Sequence, residues 1–338
     1  MRIVRFVTSW PADPSRFPYS PSPRAGFALG RRGHGFVVPD VSFTRRLARA
    51  VPRPLDGFAE IGANVAHEWK ELLHGLPGDD PDAWDPEYIR RTLPILGRVY
   101  RNYFRGEVTG LERIPEGPAL LVGNHSGGTM IADTFVFATC FYERFGPERR
   151  FHQLAHDIAA RLPGLGIRPW GTLRASHENA KKAFALGAPV LVYPGGDWET
   201  FRPSWHTDRI EFADRKGFIH LACEEEVPIV PVVSIGGQET ALFITRGERA
   251  AKLTGLDRAA RIKVLPVSIG PPFGLSVLDL PPRLPIPSKI EIEVLEPIQL
   301  RERFGAHPNP DEVYDEVTAE MQDALDQLSA DRTVPVLG

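Results

Sequence analysis

The sequence predicts an α/β protein with a mixed, largely parallel central sheet flanked by helices, preceded by an N-terminal basic arm and a helical segment. Two continuous apolar runs, ALLVG at 119–123 and VLVY at 190–193, are typical of strands buried on both faces of a parallel sheet. Segments with the apolar spacing of helices alternate with such runs, and this alternation favours helices packed on the faces of the sheet. With 338 residues, 42% apolar and 25% charged, the chain is long enough to bury a sizeable core.

Residues 1–42 are expected to form a basic arm rich in proline and glycine. From Met1 to Arg53 there are ten arginines against two aspartates, a local charge of +8 in a chain whose net charge is −3. Such an arm is attracted to a polyanionic surface, either an anionic bilayer or nucleic acid, or it pairs with the acidic remainder of the chain. We expect an anionic membrane surface as a partner and no nucleic acid.

Residues 43–105 are predicted to form N-terminal helices that could associate with a membrane. Helical spacing of apolar residues marks Phe43–Ala50, Leu55–Leu76 and Glu87–Phe104, with a loop over Gly75–Pro86. The polar side of the third helix carries only positive charge. This arrangement suits either a helix at a lipid interface or a core-packed helix with a solvated basic face.

Residues 106–338 are predicted to form the α/β domain with a C-terminal helix. The expected strands are Glu107–Leu111, Ala119–Gly123, Val190–Tyr193, Ile229–Val233, Ile262–Val267 and Lys289–Leu295. The expected helices are Asp133–Phe145, Ser176–Leu186, Lys216–Glu226 and Pro310–Ser329, the last opened by a proline with acidic residues beside it. Ligands of open α/β sheets bind at the carboxyl ends of strands, where two unusual loops fall.

Several classes of protein are disfavoured by the motifs that are missing. Cys140 and Cys223 are too far apart in sequence for a disulfide framework or a cysteine zinc site, so a reducing compartment is the simplest interpretation. We expect no signal peptide and no membrane-spanning helix, because no apolar run is long enough. His152 and His156 have the spacing of one helical turn, but Gln153 stands where a zinc-protease motif needs glutamate. We expect no metal and no cofactor.

The first unusual loop, Gly123–Asp133, follows the buried strand at 119–123. His125 leaves the strand end, two glycines follow that allow close backbone approach, and Asp133 stands at the start of the next helix. A carboxylate that holds one ring nitrogen of a histidine leaves the other nitrogen basic toward a hydroxyl or water. Asp133 is equally suited to be the N-cap of the helix, and His125 to be a hydrogen-bonded core residue.

The second unusual loop, Tyr193–Pro203, follows the buried strand at 190–193. The N–H groups of Gly195 and Gly196 could stabilise an oxyanion, and Arg202 could hold a phosphate or carboxylate of a substrate. The structural alternative is a tight turn from strand to helix.

These two loops and the segments around them resemble the glycerolipid acyltransferase superfamily, which includes lysophosphatidic acid acyltransferases. The resemblance covers about Gly106 to Pro297. The run GEVTGLERIPEGPALLVGNH is similar to the family's strand that leads to its Asn-His block. The resemblance implies that His125 is the catalytic base and Asp133 its partner, although seven residues separate them here and the family usually has four.

The later blocks resemble the branch related to type-two diacylglycerol acyltransferases. YPGG followed by Glu199 matches that branch's Pro-Gly-Gly…Glu form, and RKGF at 215–218 followed by VPIVPV at 227–232 matches its helix and the superfamily's last block. Where the family's second block has a phosphate-binding arginine this chain has His177, and Arg174 is the nearest substitute. The resemblance and the local chemistry together predict these substrate contacts: Asn124, Arg174, His177, Gly195, Gly196, Glu199 and Arg202.

The function that this resemblance implies is O-acyl transfer from acyl-CoA or acyl carrier protein to a lipid hydroxyl, in glycerolipid or phospholipid biosynthesis. His125 would remove the proton of the hydroxyl, and a thiolate would leave without help from a metal. The expected location is cytoplasmic, peripheral on the inner face of the membrane. Two alternatives are a thioesterase or lipid hydrolase that uses water at the same histidine, and a non-catalytic module that binds a lipid surface or nucleic acid.

Overall fold

A computed structural model describes residues 79–128, 131–156, 160, 166–206, 208–253, 264–272, 274–277, 279 and 283–332. All of these residues belong to one compact unit. The predicted arm at 1–42 and the predicted helices at 43–50 and 55–76 lie outside the described residues. The predicted domain boundaries at residues 42 and 105 therefore stay predictions.

The core of this unit is a mixed sheet of seven strands. Its strands are β1 (Glu107–Thr109), β2 (Leu120–Gly123), β3 (His152–Ala155), β4 (Thr172–Arg174), β5 (Val190–Val192), β6 (Ile229–Ile235) and β10 (Glu291–Val294). Across the sheet the strands follow the order β1, β10, β6, β2, β5, β3, β4. The five strands from β6 to β4 are mutually parallel, β10 is antiparallel to β6, and β1 is parallel to β10. The predicted mixed, largely parallel central sheet is confirmed.

Helices cover both faces of this sheet. They are α1 (Pro86–Tyr103), α2 (Ala132–Phe145), α3 (His177–Ala185), α5 (Gly217–Glu225) and α8 (Pro310–Asp331). Successive residues of a strand point to opposite faces, so Leu120 and Val122 pack with α3, α5 and α8, whereas Leu121 packs with α1 and α2. The continuous apolar run therefore serves two cores at once.

The ends of the long helices follow from local chemistry. The Asp85 carboxylate caps α1 by accepting from the N–H groups of Glu87 and Tyr88, at 2.9 and 3.0 Å, and Pro86 occupies the first turn. Asn309 caps α8 in the same way through the N–H of Asp311, at 3.0 Å. The predicted helices at 87–104 and 310–329 are confirmed to within two residues.

A second, smaller sheet is separate from the first in its strand pairing. It is antiparallel, with β7 (Leu242–Thr245), β8 (Val267–Gly270) and β9 (Gly274–Val277) in that order. Residues 264–266 are irregular, so the predicted strand at 262–267 is wrong over that stretch, and pairing begins only at Val267. Three short helices complete the described fold: α4 (Gly196–Thr200), α6 (Glu248–Leu253) and α7 (Leu300–Phe304). Across the described residues, no helix is both long and apolar enough to cross a bilayer.

Strand β3 shows how His152 and His156 are placed relative to each other. His152 lies on this strand, buried, with its Nδ1 3.0 Å from the carbonyl oxygen of Gly171. Because the segment is extended, His152 and His156 do not share a helix face. The spacing of one helical turn between the two histidines therefore does not bring them to one helix face.

Candidate active site

The candidate site lies where the carboxyl ends of β2, β5 and β6 meet. Asn124 and His125 follow β2, α4 follows β5, and a 3-10 turn at Gly237–Thr240 follows β6. Asn124 joins two of these strand ends. Its Nδ2 donates to the Ser234 carbonyl at 2.8 Å and its Oδ1 accepts from the Ser234 N–H at 2.7 Å. Because both ends of the amide are engaged, Asn124 fixes the start of the loop and is not placed to contact substrate as predicted.

His125 and Asp133 are brought together despite their long spacing. Nδ1 of His125 lies 3.8 Å from Oδ2 of Asp133, just outside hydrogen-bond range. The same Oδ2 accepts from the N–H and the hydroxyl of Ser126, both at 3.2 Å. The His125 side chain is 14% exposed and that of Asp133 only 1%. A buried carboxylate thus faces one nitrogen of a histidine that is still open to its surroundings.

Asp133 is not the N-cap of α2. The helix begins at Ala132, and the cap position is held by Ile131, which makes no capping bond. Oδ1 of Asp133 instead accepts from the N–H of Thr134 at 2.8 Å. The capping alternative is therefore wrong, and the side chain is free to face the histidine.

The ring of His125 is held by Tyr193, which the sequence interpretation did not single out. The two rings stack with centroids 4.4 Å apart and planes inclined by 22°. The Thr134 hydroxyl donates to the Tyr193 hydroxyl at 2.8 Å. Since Thr134 adjoins Asp133 on α2, the same turn of helix supports both neighbours of the imidazole.

Glu199 holds the backbone of His125 through a hydrogen bond. Its side chain is fully buried; Oε2 accepts from the His125 N–H at 2.7 Å, and Oε1 accepts from the Glu211 N–H at 3.0 Å. Burial raises the pKa of Glu199 to about 7, although Arg202 and the His125 N–H both act to lower it. A carboxyl group with no exposed surface does not bind substrate directly, so the predicted contact from Glu199 does not agree with its placement.

Arg202 is also inside the protein. Its guanidinium, 1% exposed, lies 3.5 Å from Oε1 of Glu199 and donates to the carbonyl of Arg209. Burial lowers the pKa of Arg202. The prediction that it holds a substrate phosphate does not agree with this position, because the charge is used to accompany a buried carboxyl group.

Gly195 of the second loop makes room for Glu199. A Cβ on Gly195 would lie 2.5 Å from Cβ of Glu199, closer than real Cβ atoms approach other heavy atoms. The Gly195 carbonyl accepts from Arg215 at 2.6 Å, and the Gly196 N–H donates to the Tyr193 carbonyl at 3.2 Å. The N–H of Gly196, predicted as an oxyanion donor, is thus engaged within its own turn.

Arg174 and His177 are not brought to the histidine. Arg174 lies on β4, three strands from β2, which is about 14 Å at the usual strand spacing. Its Nε donates to the Asp79 carboxylate at 2.7 Å. His177 begins α3 beyond β4, and burial lowers its pKa. Both predicted substrate contacts therefore lie at the far end of the sheet.

Arg283 is, after Tyr193, a second residue of the site that the sequence interpretation missed. It is buried, and its Nη2 donates to the carbonyl of Gly127 at 2.8 Å while its Nε pairs with Asp279 at 2.6 Å. Gly127 and Gly128 both have positive φ, +89° and +69°. The only signal in the sequence is an aspartate four residues before an arginine, and nothing in that pair points to a loop 156 residues away.

Taken together, these contacts give a histidine whose backbone, ring face and Nδ1 side are each restrained. Because Nδ1 faces Asp133, Nε2 points to the opposite side of the ring. A carboxylate beside one nitrogen stabilises the imidazolium that forms when the other accepts a proton. The geometry can therefore perform general-base chemistry on a hydroxyl or water.

Comparisons with known proteins point to acyltransferases. A family model described as Acyltransferase matches residues 105–235, a span that includes the site from Asn124 to Ser234. An uncharacterised protein of Mycobacterium tuberculosis is 27% identical over 299 residues, 86% of this chain and 80% of that protein. A Gallus gallus protein named DGAT1/2-independent enzyme synthesizing storage lipids is 34% identical over 173 residues, half of each chain.

A solved structure was also found, that of the 1-acyl-sn-glycerophosphate (LPA) acyltransferase PlsC from Thermotoga maritima. It has a TM-score of 0.47 and 16% identity, and the match covers 74% of this chain and 83% of that one. The family match, which includes the residues around the histidine, confirms the resemblance of the sequence blocks. Residues 105–235 thus match an acyltransferase family, in agreement with the resemblance to the glycerolipid acyltransferase superfamily.

Proposed function

We propose that this acyltransferase moves a fatty acyl group from a thioester, acyl-CoA or acyl carrier protein, to the hydroxyl of a glycerolipid. His125 takes the proton of the hydroxyl through Nε2, and the alkoxide oxygen attacks the thioester carbonyl. The tetrahedral intermediate collapses to an ester as the thiolate leaves and receives the proton from the imidazolium. The observation that carries the proposal is the pairing of a partly open His125 with the buried Asp133 at the sheet edge.

The acceptor we favour is a neutral lipid hydroxyl. Both arginines that were predicted to bind a phosphate are accounted for elsewhere, Arg174 with Asp79 and Arg202 with Glu199. The name of the Gallus gallus relative refers to storage lipids, which supports the same class of acceptor. We further propose that the enzyme is cytoplasmic and acts at the inner face of the membrane, where such lipids and the thioester donors meet.

The test is a transfer assay on purified protein. Labelled acyl-CoA is offered with monoacylglycerol, diacylglycerol, lysophosphatidic acid and fatty alcohol, and products are identified by lipid mass spectrometry. Turnover by His125→Ala should be lower by roughly 10² to 10⁴ than that of the wild type. His307→Ala, which changes an exposed histidine on the loop between α7 and α8, is the matched control and should be fully active.

Two results would count against the proposal. A folded His125→Ala protein that still transfers the acyl group would remove the base from the mechanism. Release of free fatty acid at the same rate with and without an acceptor would instead favour the hydrolase alternative.

A further inference from the structure

The small antiparallel sheet has its apolar side chains on the outside. Leu242, Ile269 and Leu275 are paired across the three strands and are 47, 39 and 65% exposed. Ile244 and Val277 are exposed on the same sheet, and its three strands contain no charged residue. We call Leu242, Ile244, Ile269, Leu275 and Val277 the outer face. A sheet with one solvated face normally shows polar side chains there.

The opposite side of this sheet explains why the pattern is inverted. Ser268 is fully buried and donates to Asp279 at 3.3 Å, and Asp279 pairs with Arg283, which holds Gly127. The inner side thus carries the polar network that supports the histidine loop. Because strand residues alternate, the inner position of Ser268 on β8 leaves the apolar Ile269 on the outside. The outer face is therefore a fixed feature of the fold.

Neighbouring segments extend this apolar surface. Trp205, 63% exposed, adjoins Ser204, whose N–H and hydroxyl both bond to the backbone of Phe243 on β7. The Tyr103 hydroxyl donates to the Pro285 carbonyl at 2.6 Å, which joins the end of α1 to the exposed Leu284. Among the described residues eleven large apolar side chains are exposed, and ten lie on these segments: Ile95, Val99, Tyr103, Trp205, Leu242, Ile244, Ile269, Leu275, Val277 and Leu284.

The charge beside this surface is positive. Ile95, Val99 and Tyr103 follow one another at intervals of four residues along α1, and between Tyr88 and Gly106 the chain has five arginines and no acidic residue. Arg91 and Arg98 are exposed and make no ion pair within the part of the chain that the structure describes. A second copy of the chain on this surface would bring its own arginines close to Arg91 and Arg98, and the like charges would repel. An anionic lipid surface instead has the opposite charge.

We propose that the outer face, with Trp205, Leu284 and the exposed stripe of α1, docks the protein onto an anionic lipid bilayer. The aliphatic side chains would enter the boundary between the headgroups and the acyl chains, and the aromatic side chains would lie at the depth of the headgroups. The arginines would pair with anionic lipids. The proposal rests on the proposed function in one respect, since a bilayer is where a lipid acceptor would be found. The docking surface would bring the enzyme to the membrane that contains the acceptor of His125.

The experiment measures binding of the full chain to vesicles by flotation. Vesicles of phosphatidylcholine with phosphatidylglycerol are compared with pure phosphatidylcholine at one salt concentration. Leu275→Asp combined with Val277→Asp should weaken binding to the anionic vesicles by more than tenfold, because burial of one such side chain is already worth about a factor of ten. Leu186→Asp is the matched control: Leu186 is equally apolar, 45% exposed and outside this surface, and its change should leave binding unaltered.

A second measurement does not depend on the stability of the double variant. Vesicles that carry brominated acyl chains should quench the tryptophan fluorescence of the wild type, and Trp205→Phe should lose part of that quenching. Equal vesicle binding by the double variant and the wild type would overturn the proposal. So would a wild-type dimer that the double variant breaks, because the occupant of the surface would then be a second copy.

Failure of the docking surface and failure of the proposed function give different results. The double variant should retain activity on a short-chain acyl thioester and a water-soluble alcohol in the absence of vesicles. His125→Ala should bind vesicles as the wild type does and be inactive on both kinds of substrate. Loss of the soluble activity in the double variant would overturn the assignment of these residues to docking.

Discussion

The sharpest test of the site geometry is to place a methyl group on Gly128. This residue has a φ of +69°, and a Cβ built on it would lie well inside 3.0 Å from both Oδ2 of Asp279 and Cζ of Phe243. Gly187 offers a control with nearly the same backbone, a φ of +72°, but with no heavy atom within 4 Å of its Cβ position. The two substitutions therefore share the backbone strain and differ in crowding alone.

The expected magnitudes follow from these two terms. Alanine in the left-handed region costs about 1–2 kcal/mol, and this is the whole loss expected for Gly187→Ala. Gly128→Ala adds the cost of overpacking, about 1–3 kcal/mol, because Asp279 is tied to Arg283 and cannot simply turn away. Urea unfolding of both proteins should thus show a difference in the free energy of unfolding of about 1–3 kcal/mol.

Activity separates the two variants further. Gly128 donates to the Thr200 carbonyl and accepts from the Thr200 hydroxyl, each at 3.2 Å, only three residues from His125. Displacement of this loop moves the histidine relative to Asp133, so kcat/KM should fall in Gly128→Ala and stay unchanged in Gly187→Ala. Equal losses of stability and activity in the two variants would refute the view that the loop is held by close contact with the small sheet.

Three further outcomes are expected. Arg202→Met should lower the free energy of unfolding by about 3–5 kcal/mol, because it leaves Glu199 buried without its cation, while a phosphate-binding role would instead raise KM. Since the pKa of Glu199 is raised to about 7, the folded protein binds its proton more tightly than the unfolded chain between about pH 4.3 and pH 7. The unfolding free energy should therefore fall as the pH rises across this window, and Glu199→Gln should flatten that slope in urea titrations. Arg174→Ala should leave kcat/KM unchanged in the transfer assay, given its place at the far end of the sheet.

The strands that could be predicted are those whose residues face two cores. The run at 119–123 is apolar throughout because its side chains alternate between the two packed faces of the sheet. Strands β3 and β4 have no such run. His152 and Gln153 on β3 are buried polar residues that bond to the Gly171 carbonyl and the Thr172 hydroxyl at 3.0 and 2.8 Å. Bonds to a partner 19 residues away leave no periodic signal in the sequence.

At the site, residue chemistry could be predicted but not the direction of each side chain. His125 and Asp133 could be paired because both follow the end of one buried strand. Glu199 and Arg202 were assigned to the substrate from the same kind of position, yet Glu199 on α4 and Arg202 just after it are both buried. Whether a polar side chain after a strand points to solvent or to the protein interior depends on how the following turn packs, and the local sequence does not reveal that packing.

The histidine loop is fixed by segments that come from three parts of the chain. The Gly127 N–H donates to Gln238 at 3.3 Å, its carbonyl accepts from Arg283, and Gly128 is bonded to Thr200. Each of these partners reaches a backbone atom, so their identity matters less than their position. Arg283 is one of these supports, and through Asp279 it is joined to Ser268 on the inner side of the small sheet, whose other side is the outer face. A lipid at that face would therefore lie within about one sheet thickness, roughly 10 Å, of the residues that hold the loop, which links where the protein docks to where the acyl group is transferred.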